Sequence, residues 1–339
     1  MLTSDFDYDL PVEHIAQTPI EPRHSSRLMV LNRALGTLEH RTFWDIAEYL
    51  HKDDLLVMND TRVIPARIFA HKIPGGGKVE LLLLKKQSDL VWEVLVGGSG
   101  LKQGREVGAD DGLTAKILDV LDGAKRLVEF SEPVEGHLSR IGHVPLPPYI
   151  HETLADAERY QTIYARQPGS AAAPTAGLHF TRDLLERIKS IGVELAYVDL
   201  HVGLDTFAPV TEERADEHRI HSEWCELSQS VADRINQTKA KGGRVIAVGT
   251  TSVRTLESSG ALSSIGKITA FQGPTDLFIL PGYQFIVVDA MITNFHLPIS
   301  TLLMLVSAFA GRERILSAYQ MAVELKYRFF SFGDAMLIL

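Results

Sequence analysis

The sequence predicts an α/β fold, a layered α/β main domain with an inserted small all-β barrel domain. Three observations carry this. Between Asp54 and Ser131 short β-rich runs follow one another through glycine-rich turns with no convincing helix. After the hinge of Pro145, Pro147 and Pro148, strand and helix patterns alternate. The stretch from Met1 to Lys52 lacks the barrel texture, so the α/β domain draws on both ends of the chain. The expected division is residues 1–60 with 145–339 for the main domain and 61–144 for the barrel.

Taken in order, the first segment mixes turns with one amphipathic helix. Thr42 is its N-cap, Asp45 suits the first turn, and Ile46, Ala47 and Leu50 share a face. Strand runs follow at 55–58, 63–70, 79–84, 91–96, 113–121 and 126–130, separated by turns such as Pro74-Gly75-Gly76-Gly77 and Asp110-Asp111-Gly112. In the second half Thr181 caps a helix with Leu184, Leu185 and Ile188 in one stripe and Gly192 past its end. A buried strand is expected at 193–202, then helix 231–240, strand 244–248, helix 253–259 and strand 285–291. Two closing helices follow, one at 301–310 and one through Ile315, Leu316, Tyr319, Ala322, Val323 and Tyr327.

Composition narrows the function. The chain has 339 residues, 45% of them hydrophobic and 23% charged, which excludes collagen, coiled coil and disorder. The formal charge of −9 leaves no global positive field for a polyanion, so nucleic acid would need a local basic face. Cys225 is the single cysteine, which excludes an intramolecular disulfide and any multi-cysteine metal site. Asp5, Asp7 and Asp9 stand where an export signal would be cationic, and the longest apolar run, 302–310, is short of the ~20 residues of a membrane span. A cytoplasmic protein is expected.

Chemistry concentrates in a few segments. From 245 a strand runs into Gly249-Thr250-Thr251-Ser252 and a helix bearing Arg254. Free N–H groups and hydroxyls at a helix N-terminus, backed by a guanidinium, suit a carboxylate or phosphate. Alternatively the hydroxyls only cap the helix while Arg254 pairs with Glu257. The segment is neither a Walker loop nor a dinucleotide fingerprint. A run of small residues, Ala171 to Gly177, precedes His179, where either a ligand approaches the backbone and the imidazole moves a proton, or a tight turn holds a satisfied histidine. His201 and His296 each follow a strand, the usual place for ligand-binding groups in α/β sheets. No metal is expected: His218, His221 and Glu223 have no recognised ligand spacing. Cys225 reads as an inert buried thiol, and no Gly-x-Ser-x-Gly elbow is present.

Several long segments together resemble a known family. They are Asn59-Asp60-Thr61-Arg62-Val63-Ile64-Pro65-Ala66-Arg67, the stretch from Ala173 to Phe180, Val248 to Glu257, Thr293 to Pro298, and Tyr327 to Met336. In this order they are similar to the S-adenosylmethionine:tRNA ribosyltransferase-isomerases of queuosine biosynthesis, and the resemblance runs from Asp5 to Ile338. It departs at Asp205, Ala208, Cys225 and Phe332, where Gly, a longer polar residue, an aromatic and Tyr are expected. The resemblance implies an α/β domain with an inserted barrel. It implies transfer and isomerisation of the ribosyl unit of S-adenosylmethionine onto 7-aminomethyl-7-deazaguanine at the tRNA wobble position, with epoxyqueuosine-tRNA, adenine and methionine as products. The donor is consumed as a co-substrate, so no cofactor is expected, and neither a membrane nor a stable protein partner is implied.

That reaction sets demands on the residues. A base must take a proton from the ribose carbon beside the sulfonium, for which His179, His201 and His296 are candidates. The donor carboxylate suits Thr250, Thr251, Ser252 and Arg254, and its cationic centres suit Asp289 and Phe295. Thr175, Gly177 and Asn294 complete the expected substrate set, and Arg62, Arg67, Arg312 and Arg314 the expected tRNA face. Two competing readings remain: an α/β small-molecule hydrolase or phosphate-handling enzyme using the 249–254 loop, and a non-catalytic RNA-binding protein, which the acidic total disfavours.

Overall fold

Successive residues of the central strands feed two different cores, and this period of two builds the larger part of the molecule. Leu55, Val57, Val245, Ala247, Met291 and Met336 face one cluster, while their neighbours Leu56, Met58, Ile246, Val248, Ile292 and Leu337 face the other. The computed structural model describes residues 1–152, 154, 156–203, 210–220, 222–263 and 267–339. They form two units, residues 1–62, 148–167 and 173–339, and residues 63–147 with 168–172.

The larger unit is a nine-stranded sheet in the order Phe271–Thr275, Glu223–Leu227, Glu194–Leu200, Leu55–Asn59, Val245–Val248, Ala290–Asn294, Ala335–Ile338, Arg27–Asn32 and Thr37–Thr42. Its four middle strands, from Glu194–Leu200 to Ala290–Asn294, are parallel, so their carboxyl ends meet at one edge. Residues of helices Gln229–Ala240, Gly249–Leu262, Thr301–Ala310 and Arg312–Glu324 supply the first cluster. Helix Arg182–Ser190 and the 3-10 turn Phe43–Glu48 supply the second.

Local chemistry sets the helix starts. Thr181, Ser228 and Ser300 accept from the N–H groups of Leu184, Val231 and Leu303. The amphipathic segment after Thr42 is a 3-10 helix rather than an α-helix, entered where Asp45 Oδ2 takes the Thr42 N–H at 3.0 Å and its hydroxyl at 2.7 Å. Its burial of Phe43, Ile46, Ala47 and Leu50 follows the expected face. The strand expected at 285–291 begins only at Ala290, because the N–H groups of Ile286, Val287 and Val288 are taken at 2.8–3.0 Å by the buried Glu257 carboxylate. Among the described residues no helix is long and apolar enough to cross a membrane.

The smaller unit is the expected inserted barrel. Arg67–Ile73, Lys78–Lys86, Val91–Gly97, Lys125–Phe130, Thr114–Val120 and Glu106–Ala109 pair in that order, and Arg67–Ile73 pairs again with Glu106–Ala109 to close six strands. Ile68, Ala70, Leu81, Val107, Ala115 and Phe130 fill the interior, as side chains do in barrels of few strands.

Candidate active site

The carboxyl edge of the four parallel strands gathers one set of polar groups of the larger unit. Open α/β sheets place ligands there because the strand ends and the helix N-termini after them point their free backbone groups the same way. Asn59 and Asp60, Asp199 and His201, Gly249 to Thr251, and Asn294 with His296 all lie at these strand ends.

His179 and Asn294 form one continuous hydrogen-bond chain here. Asn294 Nδ2 donates to His179 Nε2 at 3.1 Å and to the Phe330 carbonyl at 3.2 Å, and Asn294 Oδ1 accepts from the Thr175 hydroxyl at 3.0 Å. With Nε2 accepting, the imidazole proton resides on Nδ1, donated to Ser26 Oγ at 2.7 Å; Ser26 in turn donates to the Arg23 carbonyl. Burial, with Arg23 and Arg328 nearby, holds the ring well below the ordinary histidine range. His179 is therefore neutral with both nitrogens occupied, which corrects its expected role as base: it fixes Asn294 and Thr175.

His296 is likewise pinned. Its Nε2 is 2.7 Å from Thr293 Oγ1, and burial drops its pKa to about 3, so it too is not the expected base. His201 differs. It is half-buried with its ring 5.3 Å from that of the exposed Trp224, and burial lowers its pKa.

The 249–254 loop splits into two parts. Gly249 opens its helix at φ 84°, a left-handed conformation that L side chains resist, and the helix has no side-chain cap. The N–H groups of the first turn are thus left facing the edge, beside a Thr251 Oγ1 that has no partner among the described residues. Thr250 is buried, and Ser252 turns inward to bond the Val248 carbonyl at 2.8 Å. Arg254 faces the interior: its guanidinium pairs with buried Glu223 and donates to the Leu277 and Thr275 carbonyls. Neither expected reading of Arg254 holds, since its counter-charge is Glu223 rather than a ligand or Glu257. Ser252 and Arg254 are structural, while Gly249, Thr250 and Thr251 remain at the edge.

Sequence reasoning missed a further group. Asp60 is buried and paired with Arg166 at 2.7 Å, and the Arg166 guanidinium lies 4.6 Å over the Tyr197 ring. Asp199, half-buried, lies beside Asp60, and its Oδ1 has no partner among the described residues. Burial, then Asp60, push the Asp199 carboxyl up to about 7, in spite of the opposing charge of Arg166. Tyr164 stands beside Asp60 with a buried hydroxyl that has no partner among the described residues, and Gly177 makes room for it: a Cβ there would lie 2.0 Å from that oxygen. The signal was present in the sequence as an aspartate inside the apolar strand run Ala196 to Leu200.

Other expected residues lie elsewhere. Asp289 precedes its strand and so sits at the opposite edge, where it accepts from the Val245 N–H at 2.8 Å and Lys239 Nζ at 3.2 Å. Phe295 is fully buried among Tyr319, Tyr327 and Phe329, leaving no face for a sulfonium. Arg314 lies by Arg33 and Leu339, also at the opposite edge, and donates to the Ala310 carbonyl. Arg62 pairs with Glu158, Arg67 with Glu80 at 2.9 Å within the barrel, and Arg312 with Asp5 at 3.4 Å, so each of the three carries a local counter-charge. Cys225 is buried, and desolvation raises its thiol to about 11. Phe332 is fully buried against Tyr160; Asp205, Ala208 and His221 lie outside the described residues.

Comparison with known proteins matches the whole chain. A family model described as queuosine biosynthesis protein matches residues 3–338. The chain is 55% identical to the S-adenosylmethionine:tRNA ribosyltransferase-isomerase of Acetivibrio thermocellus and 54% identical to that of Desulforamulus reducens, each over the full length of both proteins. It is also similar to the crystal structure of S-adenosylmethionine tRNA ribosyltransferase from Thermotoga maritima, at 40% identity and a TM-score of 0.58 over 99% of this chain and 100% of that one. With its α/β sheet, its inserted barrel and these matches from end to end, the chain belongs to the queuosine biosynthesis protein family.

Proposed function

We propose that the chain transfers and isomerises the ribosyl unit of S-adenosylmethionine onto 7-aminomethyl-7-deazaguanine in the tRNA anticodon, releasing adenine and methionine. The observation that carries this is identity above 50%, without gaps in coverage, to proteins named for that reaction. In this reading S-adenosylmethionine and precursor tRNA are both substrates met in the cytoplasm, and no cofactor or metal takes part.

The chain's own groups divide the work. The uncapped helix start at Gly249 to Thr251 receives the donor carboxylate on backbone N–H groups, with the free Thr251 hydroxyl as an additional donor. Thr175 and Asn294, fixed by His179, line the donor's other side. Arg62 and the exposed Arg166, both at the carboxyl edge, face the tRNA phosphates.

The test is adenine release, followed by chromatography, with S-adenosylmethionine and either precursor or unmodified tRNA. Release with precursor tRNA alone is expected. Release without tRNA selects the hydrolase reading instead, and tRNA binding with no release at all selects the RNA-binding one.

A further inference from the structure

A proton acceptor for the reaction proposed above has to satisfy three conditions: a place at the carboxyl edge, an atom not already committed, and a neutral form close in energy to the charged one. His179 fails the second condition, with both ring nitrogens bonded, and His296, its pKa dropped by burial to about 3, fails the third. The Asp199 side chain, beside Asp60, meets all three. Asp60 follows one parallel strand, and Asp199 sits near the end of the adjacent one. Asp60 is held by Arg166 at 2.7 Å, whereas Asp199 Oδ1 has no partner among the described residues, which makes Asp199 the member open to a substrate proton.

We propose that Asp199, beside the Arg166-held Asp60, is the catalytic residue that takes the proton from the donor's ribose carbon beside the sulfonium. This rests on the functional reading given above. In that step the C–H bond breaks, the proton passes to the Asp199 carboxylate, and the electron pair stays on the carbon, where the adjacent positive sulfur stabilises it. No oxidant or further reactant is needed. The charged groups facing Asp199 are Asp60 and Arg166 from neighbouring segments and Glu226 opposite it on the next strand; Tyr197 lies two residues before it on its own strand and His201 just past that strand's end.

These neighbours make the assignment directional. The carboxyl titrates at about 7, so turnover should rise with pH through a limb near neutrality. Asp60 raises Asp199, so Asp60→Asn should move that limb down; Arg166 lowers it, so Arg166→Gln should move the limb up. A structural role for any of these residues would not move the limb in opposite directions.

The experiment is single-turnover adenine release over about pH 5.5–8.5 for wild type, Asp199→Asn, Asp60→Asn, Arg166→Gln and His201→Gln, with donor affinity measured by calorimetry. Asp199→Asn should lose about 10²–10⁴-fold in rate while donor affinity changes less than about threefold. His201→Gln, whatever its effect on rate, should leave the limb in place. A limb that survives Asp199→Asn, or one that follows His201→Gln, overturns the assignment. The ¹³C titration of the Asp199 carboxyl in the free protein adds a readout that needs no substrate: a midpoint near neutrality supports the assignment, and one in the ordinary carboxylate range overturns it. Absence of adenine release from wild type at every pH overturns the functional reading and the role as base together, while the carboxyl titration still decides whether the pair exists.

Discussion

The two edges of the nine-stranded sheet solve opposite problems with the same kinds of side chain. At the amino edge Asp54 accepts from the His51 N–H at 2.7 Å and from three nitrogens of Arg244 at 2.6–3.2 Å. Arg33 there donates to the carbonyls of Leu339, Phe309 and Asp289, and its guanidinium lies 3.8 Å over the Phe309 ring. At the carboxyl edge two aspartates lie side by side, and the hydroxyls of Thr251 and Tyr164 have no partner among the described residues. Native interiors rarely leave buried polar groups unpaired, so a concentration of them marks where the chain gives up stability for chemistry. The lesson is that saturation, rather than residue type, separates a clamp from a site.

The contrast breaks most visibly if a clamp is cut. Asp54→Ala should cost about 3–5 kcal/mol in urea unfolding, the range for removing one partner of a buried ion pair, while the folded fraction keeps its turnover. Full stability in this variant would mean that the amino edge is not the clamp described. A smaller effect is expected on the other side from Gly177→Ala, about 1–3 kcal/mol, because the added Cβ collides with Tyr164. Tyr164→Phe in the same chain should restore part of that loss, and a double-mutant cycle with no coupling would place the strain elsewhere.

The pH dependence sharpens the comparison. His179 and His296 are held neutral below the ordinary histidine value of about 6.5, so the unfolded chain binds more protons than the folded one as pH falls below that value. Stability is thus fully present above about pH 6.5 and is lost toward acid at up to about 1.4 kcal/mol per pH unit for each ring. Urea midpoints at about pH 7 and 5.5 should show this slope in wild type and a shallower one in His296→Gln. Smallest of all is Thr251→Val, which removes an unpaired hydroxyl without changing shape. Its stability should stay within about 0.5 kcal/mol, while donor affinity drops by about 0.5–1.5 kcal/mol, as read by calorimetry.

What the sequence disclosed follows the same division. Hydrophobic period and capping residues were legible, so the helices after Thr181 and Ser228, the barrel and its insertion were readable from the chain alone. Strands Arg27–Asn32, Glu223–Leu227 and Ala335–Ile338, four to six residues each, were not read from the sequence. The site was half visible. Gly249, Thr251, Thr175 and Asn294 stand at the expected edge, but which polar groups are already spent depends on partners far away in sequence, such as Glu223 for Arg254 and Ser26 for His179. No spacing rule reveals those, and the Asp60–Asp199 pair is invisible for the same reason, with most of the chain's first half lying between its members.

Strand Ala335–Ile338 lies between Ala290–Asn294 and Arg27–Asn32, antiparallel to the first and parallel to the second. On a ribosome the Arg27–Thr42 hairpin therefore emerges about 300 residues before the strand that joins it to the sheet, whereas every strand of the six-stranded barrel is made within one continuous stretch. The barrel can complete itself during synthesis. The large sheet cannot, and until the last strand arrives it presents two open edges, at Arg27–Asn32 and Ala290–Asn294, to whatever else in the cell pairs with unpaired strands. Strand Ala335–Ile338 is thus a latch whose timing governs both how quickly the sheet matures and how exposed it is to aggregation while it waits.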